Sequence, residues 1–258
     1  MASVRLINTW VQGATREKIK ELMKPDMLSD LTKLVLVNAI YFKGSWASKF
    51  DGKRTTEQVT IDLRQYSQDF HLSDGKTKKV WMMEQTAKFY YGAAGELDAA
   101  LLELPYTGDR LTLLLVLPTS ASVEGLEQKL KTSNIYQTFE KVKRKQKVSV
   151  SLPKFKMEQT IPLMEHLRSL GMTDMFDPAK ANFSAIDGSR QLHVSAVVQK
   201  VFFEVNEEGS EAAAATGAVM GITSIPEEFS ADRPFLFFLR DSLTGMVVFQ
   251  GRVTNPEA

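Results

Sequence analysis

Three histidines, His71, His166 and His193, are the only imidazoles in a chain of 258 residues, and no cysteine accompanies them. They stand in unrelated sequence contexts, so a base–nucleophile pair or a metal cluster would have to be assembled from distant segments. None of the spacings that build such centres locally is present. There is no G-x-S-x-G elbow, no G-x-x-x-x-G-K-[ST] phosphate loop, no G-x-G-x-x-G turn and no H-E-x-x-H pair. The chain reads as a protein that is not an enzyme and holds neither metal nor cofactor. Zero cysteines also exclude disulfides and thiolate ligands.

Two other stretches carry recognisable chemistry. Lys141, Lys143, Arg144, Lys145 and Lys147 place five cations within seven residues, a candidate contact for a glycosaminoglycan through charge-assisted hydrogen bonds. Basic runs on loops are usually solvated faces, and no aromatic residue interleaves this one to stack bases, so nucleic acid is not an expected partner. Asn182-Phe183-Ser184 fits the acceptor pattern for N-glycosylation, and its use would require secretion. Net charge is +1, so no global field gathers polyanions or an anionic membrane.

A third stretch is mechanical rather than chemical. Glu207, Glu208, Gly209, Ser210, Glu211, Ala212, Ala213, Ala214, Ala215 and Thr216 follow a strand-like run and precede further strand-like runs. Helix formers at 211–215 allow a short surface helix. Gly209 is a natural hinge, however, and Thr216-Gly217-Ala218-Val219 is poor helix material. As a strand, Ser210, Ala212, Ala214 and Thr216 would share one face, and side chains that small could enter an existing sheet without overpacking it. A strand of about a dozen residues paired on both edges, at a net ~0.5–1.5 kcal/mol per hydrogen bond, would gain on the order of 10 kcal/mol. The exposed loop would then be metastable.

The elements that must support this loop follow from periodicity. Leu6, Ile7, Trp10 and Val11 predict a helix ending at Gly13, and Thr15 caps a second predicted helix over 16–23. Residues 34–42 are apolar on both faces except Asn38, which predicts a strand inside a covered sheet and a buried amide that needs partners. Short strands are predicted at 55–62, 79–83, 87–91, 99–104 and 111–117, and helices at 123–130 and 135–142. A long strand over 148–155 is interrupted by Pro153, which indicates an edge or a bend. A helix over 161–170 closes at Gly171, and strands at 192–205, 235–239 and 246–249 complete the chain. Helices among many non-local strands make an α+β fold, read as one domain over 1–258. With 43% hydrophobic residues the chain can fill a large core. No apolar run approaches a membrane span, and the N-terminal residues lack the pattern of a signal peptide.

The order of motifs resembles the serpin family along the whole chain. Asn38-Ala39-Ile40-Tyr41-Phe42-Lys43-Gly44-Ser45-Trp46, followed by Phe50, is similar to the family's central sheet strand and the breach at its top. Val80-Trp81-Met82-Met83, Leu152-Pro153-Lys154-Phe155 and Phe183-Ser184-Ala185-Ile186 resemble further family signatures. So do Arg233-Pro234-Phe235-Leu236-Phe237 and Gly251-Arg252-Val253-Thr254-Asn255-Pro256. The resemblance implies a serpin fold represented by about its C-terminal two-thirds, without the family's first five helices and the first two strands of its main sheet.

It also implies a function. A serpin of this kind is a suicide substrate of serine proteases: the reactive loop is cleaved once, and the hinge inserts into the main sheet while the acyl-enzyme is intact, which leaves a covalent complex. Loop length places the reactive bond between Thr223 and Ser224. A small β-branched Thr223 suits an elastase-like or subtilisin-like pocket rather than a trypsin-like one, and a cut after Met220 is the second choice. The breach and shutter positions carried over are Asn38, Trp46, Lys154 and Gln199. Gln199 stands where the family commonly has histidine, so it offers a hydrogen bond to Asn38 without a titrating switch. A monomeric, secreted protein of the extracellular space is expected by resemblance, with the cytoplasm as the alternative. The alternative functions are a non-inhibitory serpin-fold binding or storage protein and an inactive truncated fragment.

Overall fold

A computed structural model of the chain describes residues 2–50, 67–120, 122–140, 142, 144–207 and 225–256. The backbone forms two compact units, 1–43 with 156–204 and 44–155 with 205–258, and the chain passes between them three times.

The first unit holds a three-stranded sheet in the order β1 (Leu34–Lys43), β8 (Val194–Val205), β7 (Phe155–Pro162). Helix α1 (Ala2–Ala14) buries Val4 and Val11 against Val198 and Phe202, together with Ile19, Leu22 and Met23. Residues Val35, Val37, Ala39 and Tyr41 face this cluster, the two-residue period of one strand face. The helix predicted over 16–23 does not form. Arg16 and Glu17 adopt positive φ (51° and 62°), which ends helical geometry, and the following residues form an irregular strap. Tertiary bonds hold that strap. The Asn8 side chain accepts from Leu22 N and Met23 N and donates to Met23 O, while Thr15 Oγ1 accepts from Ile19 N. Fully buried Ile19 and Met23 reward this non-helical path more than a short surface helix would.

The helix expected over 161–170 shrinks to α4 (Met164–Ser169), since Ile161 belongs to β7. Leu163, Met164 and Leu167 still pack on Phe176, Val194 and Val197, beside Phe183 that precedes α5 (Ser184–Asp187).

The second unit is an eight-stranded sheet in the order β11-β10-β5-β4-β3-β6-β9, with β2 added against β3. These strands are β2 (Ser67–His71), β3 (Thr77–Ala94), β4 (Ala99–Pro105), β5 (Leu111–Pro118), β6 (Arg144–Pro153), β9 (Glu227–Ser230), β10 (Phe235–Asp241) and β11 (Val247–Val253). The strands predicted at 79–83 and 87–91 are one continuous β3. Its polar middle, Glu84-Gln85-Thr86, is a paired stretch opposite Ser149–Ser151 of β6 and not a turn. The strand expected at 55–62 lies outside the described residues. Helices α2 (Val123–Thr132) and α3 (Ile135–Phe139) cover one face, where Leu126 and Phe139 meet Leu101, Leu114, Val116, Leu236 and Phe238. Ser122 caps α2 by accepting from Gly125 N, and Asn134 caps α3 by accepting from Tyr136 N. Pro153 ends β6, and Phe155 opens a strand of the other sheet, so the bend read from the proline is a change of sheet.

Candidate functional site

The stretch expected to form the hinge follows β8 in the chain. Two contacts hold Asn206 and Glu207, both within the second unit. Trp46 donates from Nε1 to Asn206 O at 2.8 Å, and Lys154 Nζ lies 2.8 Å from Glu207 Oε1, a close ion pair off the hydrogen-bonding direction. Lys154 is itself aimed by its backbone, which donates to Trp81 O at 3.0 Å as the chain leaves β6. The Glu207 side chain is 13% exposed and that of Lys154 34%, and Glu207 Oε1 itself is buried.

Trp46 is buried and rigidly seated. Its ring stacks on Tyr106 at 4.4 Å and meets Phe50 edge-on at 5.8 Å, contacts worth roughly 0.5–1.5 kcal/mol each beyond burial. Backbone bonds on both sides fix it: Ala47 N donates to Pro105 O, and Thr107 N to Ser45 O. Tyr106 begins the turn between β4 and β5, where Asp109 N donates to Tyr106 O. Tyr106 and the Asn206 carbonyl are parts of this anchor that sequence reasoning missed, and no local signal marks them. Burial pushes the Tyr106 phenol far above its ordinary pKa, so it stays neutral.

Asn38 and Gln199 come together, but not as expected. β1 and β8 are parallel, and Asn38 stands in register with Gln199. Asn38 is exposed rather than buried, and Leu36 on the same face is 40% exposed. The reason is that the α1 cluster covers only the odd-numbered face of β1. Among the described residues no hydrogen bond joins the two side chains, since water satisfies an exposed amide. Direct pairing continues for the length of β1, from Leu34 with Val194 to Lys43 with Glu204.

The β8 strand is also tied to the strap that follows α1. Lys200 Nζ sits 2.7 Å from Glu158 Oε1 and donates to Glu21 O at 2.5 Å, with only 12% of its side chain exposed. Lys156 Nζ lies over the Phe202 ring at 4.9 Å.

The remaining site residues divide plainly. Glu208, Gly209, Ser210, Glu211, Ala212, Ala213, Ala214, Ala215, Thr216, Thr223 and Ser224 lie outside the described residues, as do Lys141 and Lys143. Arg144, Lys145 and Lys147 are exposed on β6. Asn182 is exposed, and its Oδ1 accepts from Ser184 N and Oγ. Among the described residues no three His, Asp or Glu side chains group closely enough to hold a metal ion, and no helix is long and apolar enough to cross a membrane.

Two sheets with flanking helices, one of them holding the parallel pair β1·β8, define an α+β fold, and a stretch of small residues follows β8 in the sequence. The family model described as serpin (serine protease inhibitor) matches residues 1–256, and the chain belongs to the serpin family. Leukocyte elastase inhibitor A from Mus musculus is 42% identical over 258 residues, which covers 97% of this chain and 65% of that protein. Serpin B3 from Homo sapiens is 39% identical over 260 residues, covering 98% and 64%. The crystal structure of uncleaved ovalbumin superposes with a TM-score of 0.81 at 32% identity, covering 99% of this chain and 63% of that one. The chain thus spans just under two-thirds of the length of the relatives it matches.

Proposed function

We propose that the chain acts as a suicide-substrate inhibitor of a serine protease. The observation that carries this reading is the direct parallel pairing of β1 with β8. The two strands that would flank an inserted hinge lie side by side, so the sheet is in the state that precedes insertion. Attack of the protease serine on the Thr223 carbonyl forms the acyl-enzyme and releases the amine of Ser224 as a new N-terminus. Residues 209–216 then enter between β1 and β8, and the new backbone hydrogen bonds drive the step. Relatives named as elastase inhibitors support an elastase-like target, with subtilisin-like proteases next. The inhibitor is a monomer, and its product is a covalent complex. Those relatives favour the cytoplasmic placement, and the extracellular one has no support from them. Asn182 is then unmodified.

Incubation with elastase-, subtilisin-, chymotrypsin- and trypsin-like proteases tests the proposal. An SDS-resistant complex with the first two is expected, together with a released peptide beginning at Ser224. Rapid turnover without a complex overturns it. Cleavage of the loop should also raise the unfolding temperature steeply, whereas an unchanged temperature would favour a binding or storage role.

A second reading, in which this polypeptide by itself does not complete trapping, is favoured by the bare face of β1 at Leu36 and by exposed Leu6 and Trp10 on α1. A broad, early urea transition supports that reading, and a cooperative one refutes it.

A further inference from the structure

The register of β6 against β3 sorts the basic run by face. Lys147 stands directly opposite Lys88, Lys145 opposite Tyr90, and Ser149 opposite Thr86. All six are exposed and alternate with the buried Phe89, Val148 and Val150. Arg144, opposite Tyr91, falls on the other face. Lys88 comes from a distant part of the sequence and completes a cluster that the linear run does not contain.

The cluster is costly as it stands. Like charges directly opposite on antiparallel strands are destabilising, yet Lys88 and Lys147 occupy such a pair. None of the ion pairs among the described residues involves Lys88, Lys145 or Lys147. On the flanking strands, the carboxylates in register with this face are Glu103 beside Tyr90 and Glu228 beside Ser149. Glu103 is already engaged, since Thr112 Oγ1 donates to it at 2.6 Å and Arg240 lies 4.0 Å away.

The geometry also selects the class of anion. Lys145 Nζ lies 5.2 Å over the Tyr90 ring, so the single aromatic face is taken and offers no platform for a base. Ammonium groups are point charges that suit tetrahedral oxyanions in any orientation. The Lys88–Lys147 pair is about 5 Å apart at Cβ, and Lys145 is about 7 Å further along β6. A thin, linear chain with a charge on every unit meets these steps in any register.

We propose that the outward face of β3 and β6 is an oxyanion site, formed by Lys88, Lys145 and Lys147, that binds inorganic polyphosphate. The choice of a phosphate chain over a sulfated polysaccharide rests on the cytoplasmic placement given above.

Anisotropy of labelled linear polyphosphate, titrated with the full chain at two salt concentrations, tests the site. Replacing all three lysines (Lys88→Gln, Lys145→Gln, Lys147→Gln) should weaken binding on the order of tenfold at low salt and reduce the salt slope by about two. Arg144→Gln should leave affinity within about twofold, because its side chain is on the other face. Lys88→Glu separates binding from folding: it should weaken polyphosphate binding while raising the unfolding midpoint, since it turns a like pair into an opposite one. Unchanged affinity in the triple variant, or an equal loss with Arg144→Gln, overturns the site. Tighter binding of a sulfated polysaccharide, or equal binding of oligothymidylate, overturns the ligand. These readouts do not involve a protease, so failure of inhibition and failure of this site are seen separately.

Discussion

The strand pairs β5·β10 and β1·β8 are both rich in large apolar residues, yet their two sheets treat them oppositely. In β5, residues Leu113 to Leu117 are all buried, as are Phe235 to Leu239 of β10, and each strand has a neighbour on both sides. Burial on both faces explains why neither sequence alternates. β1, by contrast, is an edge of the three-stranded sheet; its odd face is packed, while its even face leaves Leu36 and Asn38 in water. An apolar run alone therefore does not tell a core strand from one that lies open. The lesson is that one pair resists any change of register, and the other has only its own ladder and one covered face to keep it closed.

The sharpest way to break this contrast is to truncate both. Phe237 is fully buried among Phe155 and Phe249, so Phe237→Ala should cost about 3–5 kcal/mol in urea unfolding. Leu36→Ala should cost less than about 1 kcal/mol. Equal costs would mean that β1 is as tightly covered as β10.

Overpacking gives the next largest effect. A Cβ at Gly251 would meet the Phe237 ring at 2.7 Å, so Gly251→Ala should destabilise by about 1–3 kcal/mol. A neutral result would show that the aromatic layer of the second unit can yield.

On the other pair, Lys200 ties β8 to the strap at Glu21. Lys200→Met keeps the stem and removes the charge, and a loss of about 1–2 kcal/mol is expected, together with faster loop insertion after cleavage. If stability falls while the insertion rate does not change, the strap does not restrain β8.

The smallest effect concerns pH at the β10–β11 turn. Arg110 donates to Asp241 Oδ2, and Leu243 N and Thr244 N donate to Oδ1; these bonds hold the carboxyl below the ordinary carboxylate range. A depressed folded-state pKa contributes stability above the unfolded value, about 3.9, and that stability is lost as pH falls through the folded value. Asp241→Asn should therefore lower the unfolding temperature at neutral pH, and the difference should vanish in strong acid. A difference independent of pH would point to packing instead.

Much of the second unit was legible because its signals are local. Helical spacing marks 123–130 and 135–142, and 99–104, 111–117 and 235–239 are short β-rich runs. Errors occurred where distant groups decide. Arg16 to Met23 has helical spacing, but Asn8 and the buried Ile19 hold it out of a helix. β9 has only Phe229 as an apolar anchor among two glutamates and a serine, and it exists because β6 offers it a parallel edge. Trp46 and Lys154 were named from family motifs and Glu207 from the stretch that follows β8, while the Tyr106 floor and the Asn206 carbonyl were invisible.

By itself the sequence determined the family, the α+β class, the order of most elements and the small-residue composition of the hinge. These depend on residue type and on spacing within a few turns or strand residues, which any local window contains. Tertiary structure decided which apolar strand is covered, which lysines share a face, and that Lys154 meets Glu207 across more than fifty residues of chain. Burial and pairing are properties of the partner as much as of the residue. A side chain's worth is set only when the element opposite it is in place.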